Sequence, residues 1–308
     1  MVKLISKLSS WKFVALVGVL ACTMLVACGD DDSDFATRPE NELSSSEAQS
    51  SSSVVSSSSL DLSSSSATPQ SSSSETTVSS SSDSEGYVDP STVVKGSMTD
   101  ERDGRTYKTV TIGTQTWMAE NLNYDYTGVP FIYGDNTSDS TSWCYENAYS
   151  NCTKYGRLYT WAAAMDSTGT WSAGGKGCGH LVECSPTYPV RGVCPEGWHL
   201  PDSTEWYTLF TAVGGQTTAG DMLKSIAVWT PTRYSNGYGT NAYSFSALPA
   251  GYRISDRNFT SECGETNFWS STERDSRNAN YINLSGGDIA DLGGTHKFLG
   301  FSVRCIKD

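Results

Sequence analysis

Cys194-Pro-Glu-Gly-Trp-His-Leu-Pro-Asp-Ser-Thr-Glu-Trp206 opens the most strongly patterned stretch of this 308-residue chain. Asp202 stands where a helix N-cap belongs, and Glu205 is the third residue after it. This is a capping box with Asp in place of Ser. Trp206, Leu209, Phe210 and Val213 follow at i, i+3, i+4 and i+7, one apolar stripe of a helix. Gly214-Gly215 ends it. Working outward, Arg105–Gly113 alternates side chains and stops at glycine, a strand and turn. Thr116–Leu122 is a second extended piece. Arg157–Met165 is rich in helix formers, with Leu158, Trp161, Ala162 and Met165 on one face. A short helix is expected over Ala219–Ser225. Short strands are expected at Tyr243–Leu248, Gly251–Ile254, Asn267–Ser270, Ala279–Leu284 and Gly300–Ile306. Ser167–Gly192 reads as an irregular, glycine-rich loop. Two or three short helices among many short strands and long loops define the fold class as α+β, a single domain.

The start of the chain gives an address. Lys3, Lys7 and Lys12 precede an almost uninterrupted apolar run from Trp11 to Val26, the layout of a secretory signal peptide. The run ends in Leu25-Val26-Ala27-Cys28, similar to the lipobox of bacterial lipoproteins. That similarity implies cleavage before Cys28, lipidation of its thiol and stable membrane attachment. Asp30–Asp32 and Asp34 form an acidic start to the mature chain, consistent with an outer-membrane lipoprotein exposed at the cell surface. Residues 28–95 are then an acidic and Ser-rich tether, too poor in apolar side chains to offset ordering entropy. About 65 residues of such coil span roughly 45 Å.

Composition changes at about residue 96. Eight of the nine Trp and fifteen of the sixteen Tyr lie beyond it. The domain assigned to residues 96–308 is long enough for a substantial core. It carries 16 Lys and Arg against 22 Asp and Glu, part of the net charge of −13 for the whole chain. No basic stripe is present, so nucleic acid is not an expected partner.

Seven cysteines fall in this domain, and an oxidising compartment makes disulfides the default. Cys144 with Cys152 and Cys178 with Cys184 each flank a short polar loop. Cys194 and Cys305 bound the two most patterned segments and form a candidate long-range bond. Cys263 is left over, with an intermolecular bond, a buried thiol or another pairing all open. The Cys and His spacings give no metal site.

Six motifs in order carry a resemblance. They are Ile112–Leu122, Tyr155–Met165, Cys194–Pro201, Phe245–Arg253, Phe268–Glu273 and Gly300–Cys305. Together they resemble the Fibrobacter succinogenes major paralogous domain. The Gly-Phe-x-Val-Arg ending is also similar to the formylglycine-generating fold, a relative of C-type lectins. The resemblance implies a C-type-lectin-like architecture with disulfide-stapled loops. Enzymes of that fold use paired reactive cysteines late in the domain, and here only Cys263 and Cys305 lie late. The calcium signatures of C-type lectins are absent as well.

No nucleophile elbow, paired metal ligands or phosphate loop is recognisable. His199 is a possible base or a hydrogen-bonded core histidine. Glu120, Arg157, Arg253, Glu273 and Arg304 sit inside apolar motifs, as buried ion pairs or as the lining of a polar pocket. The Trp residues of the motifs read as core. Aromatics in the polar loops are the binding candidates: Trp143, Tyr145, Tyr149, Trp171, Tyr234 and Tyr238, with Tyr124 and Tyr126 nearby. The expectation is a non-enzymatic, cofactor-free surface lipoprotein whose C-type-lectin-like domain binds polysaccharide or another surface ligand. The alternatives are a protein-interaction or envelope-structural lipoprotein, and an enzyme of the formylglycine-generating-like fold.

Overall fold

A computed structural model describes residues 86–127, 131–133, 136–138, 141–231, 237–254 and 258–308. In chain order the elements are β1 (Val94–Asp100), β2 (Arg105–Ile112), β3 (Gln115–Met118), β4 (Phe131–Tyr133), β5 (Asn136–Ser138), β6 (Ser142–Trp143), α1 (Tyr149–Tyr155), β7 (Leu158–Tyr159), α2 (Trp161–Ala164) and β8 (Trp198–His199). They continue with α3 (Ser203–Ala212), α4 (Gln216–Leu223), β9 (Ala250–Arg253), β10 (Phe259–Glu262), β11 (Thr266–Glu273), β12 (Asn278–Leu284), β13 (Ala290–His296) and β14 (Ile306–Lys307). One five-stranded sheet has the order β1-β2-β3-β14-β8, and a second has β10-β9-β11-β12-β13. Two small ribbons pair β4 with β5 and β6 with β7. This is an α+β domain.

Local chemistry explains the best-defined elements. Ile112 pairs with Gln115 across a two-residue turn, where Gly113 takes a φ of +60°. A glycine at the first turn position is what a hairpin of this kind requires. The capping box at α3 is complete. Glu205 N donates to the Asp202 carboxylate at 2.9 Å, and Asp202 N donates to Glu205 Oε2 at 2.9 Å.

Two aromatic clusters fill the interior. In one, Trp117 lies 4.7 Å from Trp206, which stacks on Phe268 at 5.7 Å. In the other, Trp269 lies 4.5 Å from Phe301, and the N–H of Trp269 donates to Tyr159 O at 2.7 Å. Between the sheets runs Gly300–Ile306. Phe301 exchanges backbone bonds with Tyr159, and Ser302 N donates to Asn267 O. Leu122 N donates to Val303 O, and Met118 N to Cys305 O. The Arg304 guanidinium, fully buried, donates to Asn121 Oδ1 at 2.8 Å and to the carbonyls of Phe245 and Ser246. Burial pushes its pKa down to about 9.

The three candidate disulfides are all formed: Cys144–Cys152, Cys178–Cys184 and Cys194–Cys305. The last closes a separation of 111 residues, which by chain-entropy arithmetic stabilises the fold by roughly 4–5 kcal/mol. Cys263 is buried and disulfide-bonded, so it is not the buried free thiol that the sequence left open.

Several elements differ from expectation. Arg157–Met165 is not one helix. Leu158–Tyr159 pairs with β6 and Phe301, and Thr160, extended, caps the short α2 by accepting from Ala163 N. Helix α4 starts three residues earlier than expected, directly after Gly215. Tyr243–Leu248 is a turn rather than a strand, because Ser244 and Ser246 have positive φ and the Asn241 side chain accepts from Ser246 N. Gly300–Ile306 joins a sheet ladder only at Ile306. Strands β1, β10 and β13 and helix α1 lie outside the elements expected from the sequence, and the start of β1 falls within the residues assigned to the tether.

Arg304→Met keeps volume but leaves Asn121 Oδ1 and two carbonyls without their donor. Each abandoned buried group costs about 1–3 kcal/mol, so unfolding in urea should show a loss of roughly 3–5 kcal/mol. A loss below about 1 kcal/mol would contradict the role given to this side chain.

Candidate functional site

A polar cleft of about 470 Å³ lies between β2, the chain after β3, and α1. Arg105 and Lys108 of β2 form one wall, and Lys154 of α1 forms the other. Glu120 reaches across the end of the β2–β3 ladder, where its carboxylate accepts Lys108 N at 2.7 Å. The same carboxylate stands 3.7 Å from the Lys108 ammonium. Arg105 pairs with Asp103 at 3.3 Å and donates to the Tyr149 hydroxyl at 3.4 Å. These pairs are solvent-accessible, so each is worth little and exchanges readily for a ligand contact.

The floor is fixed. Asn121 Nδ2 donates to Tyr155 O at 2.8 Å, and Asn123 Nδ2 donates to Cys152 O at 2.9 Å. Asn123 N donates to the Tyr107 hydroxyl at 3.0 Å, while burial pushes the Tyr107 pKa up to about 12. The Cys144–Cys152 bond ties α1 to the segment just before it. Rigid amides below and exchangeable charges above suit hydrogen bonding to a hydroxylated ligand.

The loop aromatics separate into two groups. Tyr149 is 67 % exposed and stands at the Arg105 side of the cleft. Tyr238 is 42 % exposed. Trp143 and Tyr145, candidates by loop composition, are instead buried, at 8 % and 5 %. The Arg253 guanidinium covers the Trp143 ring at 3.9 Å, and Tyr145 packs against Phe259 at 5.3 Å. Neither ring face is open to a ligand. Trp171 is half-buried, edge-on to Tyr124 at 5.8 Å, with the Arg102 guanidinium over both rings. Tyr126 is buried and donates its hydroxyl to Asp166 at 2.6 Å. Asp166 also accepts from the backbone of Thr170, Trp171 and Ser172, which shapes the irregular loop after α2. Tyr234 and Cys28 lie outside the described residues.

The charged motif residues mostly serve the fold. Lys297, buried over the Trp161 ring, pairs with Glu273, which also accepts Cys184 N. Arg157 pairs with Asp125 at 2.8 Å. Lys224 places its ammonium against the carbonyls of Gly237, Ser285 and Gly287 at 2.9–3.1 Å. Sequence reading passed over Lys224, whose only signal was a cation beside a predicted helix end.

His199 lies between two carboxylates, with Nδ1 2.7 Å from Asp308 Oδ1 and Nε2 2.8 Å from Glu205 Oε1. Both nitrogens are engaged by acceptors, which defines an imidazolium donor pair rather than a free base. Burial opposes its charge, yet the bonds to Glu205 and Asp308 prevail and raise its pKa. Among the described residues, no group of three His, Cys, Asp or Glu side chains could hold a metal ion.

The fold and cleft thus define a disulfide-stapled α+β domain with an open cleft lined by charged and polar side chains. The chain belongs to the Fibrobacter succinogenes major domain family, which it matches over residues 110–307. No curated protein and no solved structure matches it. The family match begins within β2, so β1 and its hairpin extend the first sheet beyond the matched residues.

His199 makes stability pH-dependent. Its folded pKa lies above the ordinary value of about 6.5. Its contribution is therefore fully present below about pH 6.5 and is lost as pH rises through the raised value. The difference in thermal midpoint between the native chain and His199→Gln should shrink as pH rises above about 6.5. A difference that grows with pH would reverse the assigned protonation.

Proposed function

We propose that this chain is a lipid-anchored surface protein whose domain binds polysaccharide in the Arg105–Glu120 cleft. The observation that carries the reading is the alternation of donors and an acceptor along one open cleft, beside the exposed ring of Tyr149. Sugar hydroxyls both donate and accept, so Arg105, Lys108 and Lys154 offer donors while Glu120 accepts. The Tyr149 ring supplies an apolar face with a polar tip. The lipobox-like Leu25–Cys28 and the serine tether support presentation on a long leash outside the cell. A binding role is favoured over catalysis because His199, the one base candidate of the sequence, has both nitrogens committed to carboxylates.

Cells displaying the full chain should adhere to insoluble xylan or cellulose. Arg105→Gln with Tyr149→Ala should weaken that retention about tenfold, the scale of one or two lost contacts. Cys28→Ser should release the protein from the membrane fraction. Equal retention by the cleft variant and the native chain would remove the cleft from the reading.

A further inference from the structure

Helix α3 has two unlike faces. Trp206, Leu209 and Phe210 are buried in the core, while Thr204, Tyr207, Thr208 and Thr211 form the outer stripe at i, i+3, i+4 and i+7. All four outer residues are exposed, and none is charged. Threonine is a weak helix former, and an exposed helix face ordinarily carries Lys, Glu or Arg. Three threonines and a tyrosine there sacrifice local helix stability, a pattern found where a surface has another use.

A second cleft, of about 520 Å³, lies on this stripe. Its opposite wall is the segment Gly86–Val88, and Ile112 and Ala212 contribute an apolar floor. Tyr87 and Tyr207 both line it, at 52 % and 47 % exposure. Both walls are fixed. Val88 N donates to Ala212 O at 2.8 Å, and the Tyr243 hydroxyl donates to Val88 O at 2.7 Å. The Tyr207 ring is held edge-on to Phe210 at 6.2 Å. The hydroxyls of Thr208 and Thr211 each donate to the carbonyl four residues back, at 2.9 Å. Their protons are thus spent, and their oxygens present lone pairs outward as acceptors.

We propose that this cleft is a second saccharide subsite, which takes a neutral pyranose unit. Its chemistry is independent of the Arg105–Glu120 cleft: two accessible aromatic rings, an apolar floor and hydroxyl acceptors, with no charge in the lining. A pyranose ring offers the complement, an apolar C–H face for the tyrosine rings and outward hydroxyl donors for the threonines. An anionic ligand would find no cation there. Two subsites on one domain let a polymer engage twice, and the second contact gains from effective concentration. The proposal extends the glycan reading but stands on separate residues.

Calorimetric titration of the full mature chain with xylohexaose and with cellohexaose tests it. Tyr87→Ala with Tyr207→Ala should weaken binding at least tenfold or remove one of two sites. Thr208→Val with Thr211→Val, which keeps shape but removes the acceptors, should weaken it several-fold. Tyr207→Phe should retain binding, because the ring is kept. Arg105→Gln with Tyr149→Ala should leave this site occupied. Unchanged heat and stoichiometry in the Tyr87, Tyr207 variant would overturn the subsite. If the Arg105, Tyr149 variant alone then lost binding, the first cleft would stand without the second. Loss in the Tyr87, Tyr207 variant alone would support the subsite and count against the first cleft. An absence of heat with either hexasaccharide would overturn both, and capture of a protein ligand at the tyrosines in place of sugar would likewise overturn the subsite.

Discussion

The structure depends on how the segment Gly300–Ile306 is seated. It is not a ladder strand over most of its length, yet its backbone groups find partners in several different elements. Gly300 bonds to Arg253, Phe301 to Tyr159 and Ser302 to Asn267. Val303 and Cys305 accept from the chain around β3. Its side chains serve the interior as well: Phe301 packs on Trp269, Arg304 collects carbonyls from the 245–246 turn, and Cys305 is bonded to Cys194. Two sheets and three loops are thereby referred to one short strip of backbone. Buried backbone groups must be paired, so moving this strip would strand partners in each of them at once.

The same device recurs where loops must be held without a ladder. A long charged side chain carries its donors into the interior and ends on carbonyls. Lys224 does this for the chain around Gly237 and Gly287, and Lys297 ends on the Val182 carbonyl and the Glu273 carboxylate. Asp166 does the converse, gathering backbone N–H groups. A buried charge without such partners is costly, so each anchor specifies its loop conformation as well as stabilising it. This is how a domain with long irregular stretches can offer clefts of fixed shape.

What the sequence revealed depended on how local the cause was. The capping box and apolar stripe of α3 lie within a dozen residues and were legible. So were the hydrophobic runs of β9, β11 and β12, and the short-range cysteine pairs. Helix α1 was hidden because Tyr-Ser-Asn-Cys-Thr-Lys-Tyr has poor intrinsic propensity. The Cys144–Cys152 bond and Asn123 hold it instead. Arg157–Met165 misled in the other direction, since its alanines favour helix while the pairing of Tyr159 with the distant Phe301 requires extended backbone. Trp143 and Tyr145 read as exposed because their covers, Arg253 and Phe259, lie more than a hundred residues away. Tyr207 was overlooked beside the core residue Trp206, although the missing charges on its face were visible in the sequence.

Fixed floors leave the rims to carry the candidate contacts, exchangeable charges in the first cleft and tyrosines with threonines in the second. The seating of Gly300–Ile306 is the central structural claim, and native-state hydrogen exchange tests it most directly. The amides of Gly300, Phe301 and Ser302, and that of Leu122 bonded to Val303, should exchange only through global unfolding. Their opening free energy should equal that of complete unfolding and fall together with it in denaturant. Exchange of these amides at lower free energy than those of the β1–β2 hairpin would contradict the account.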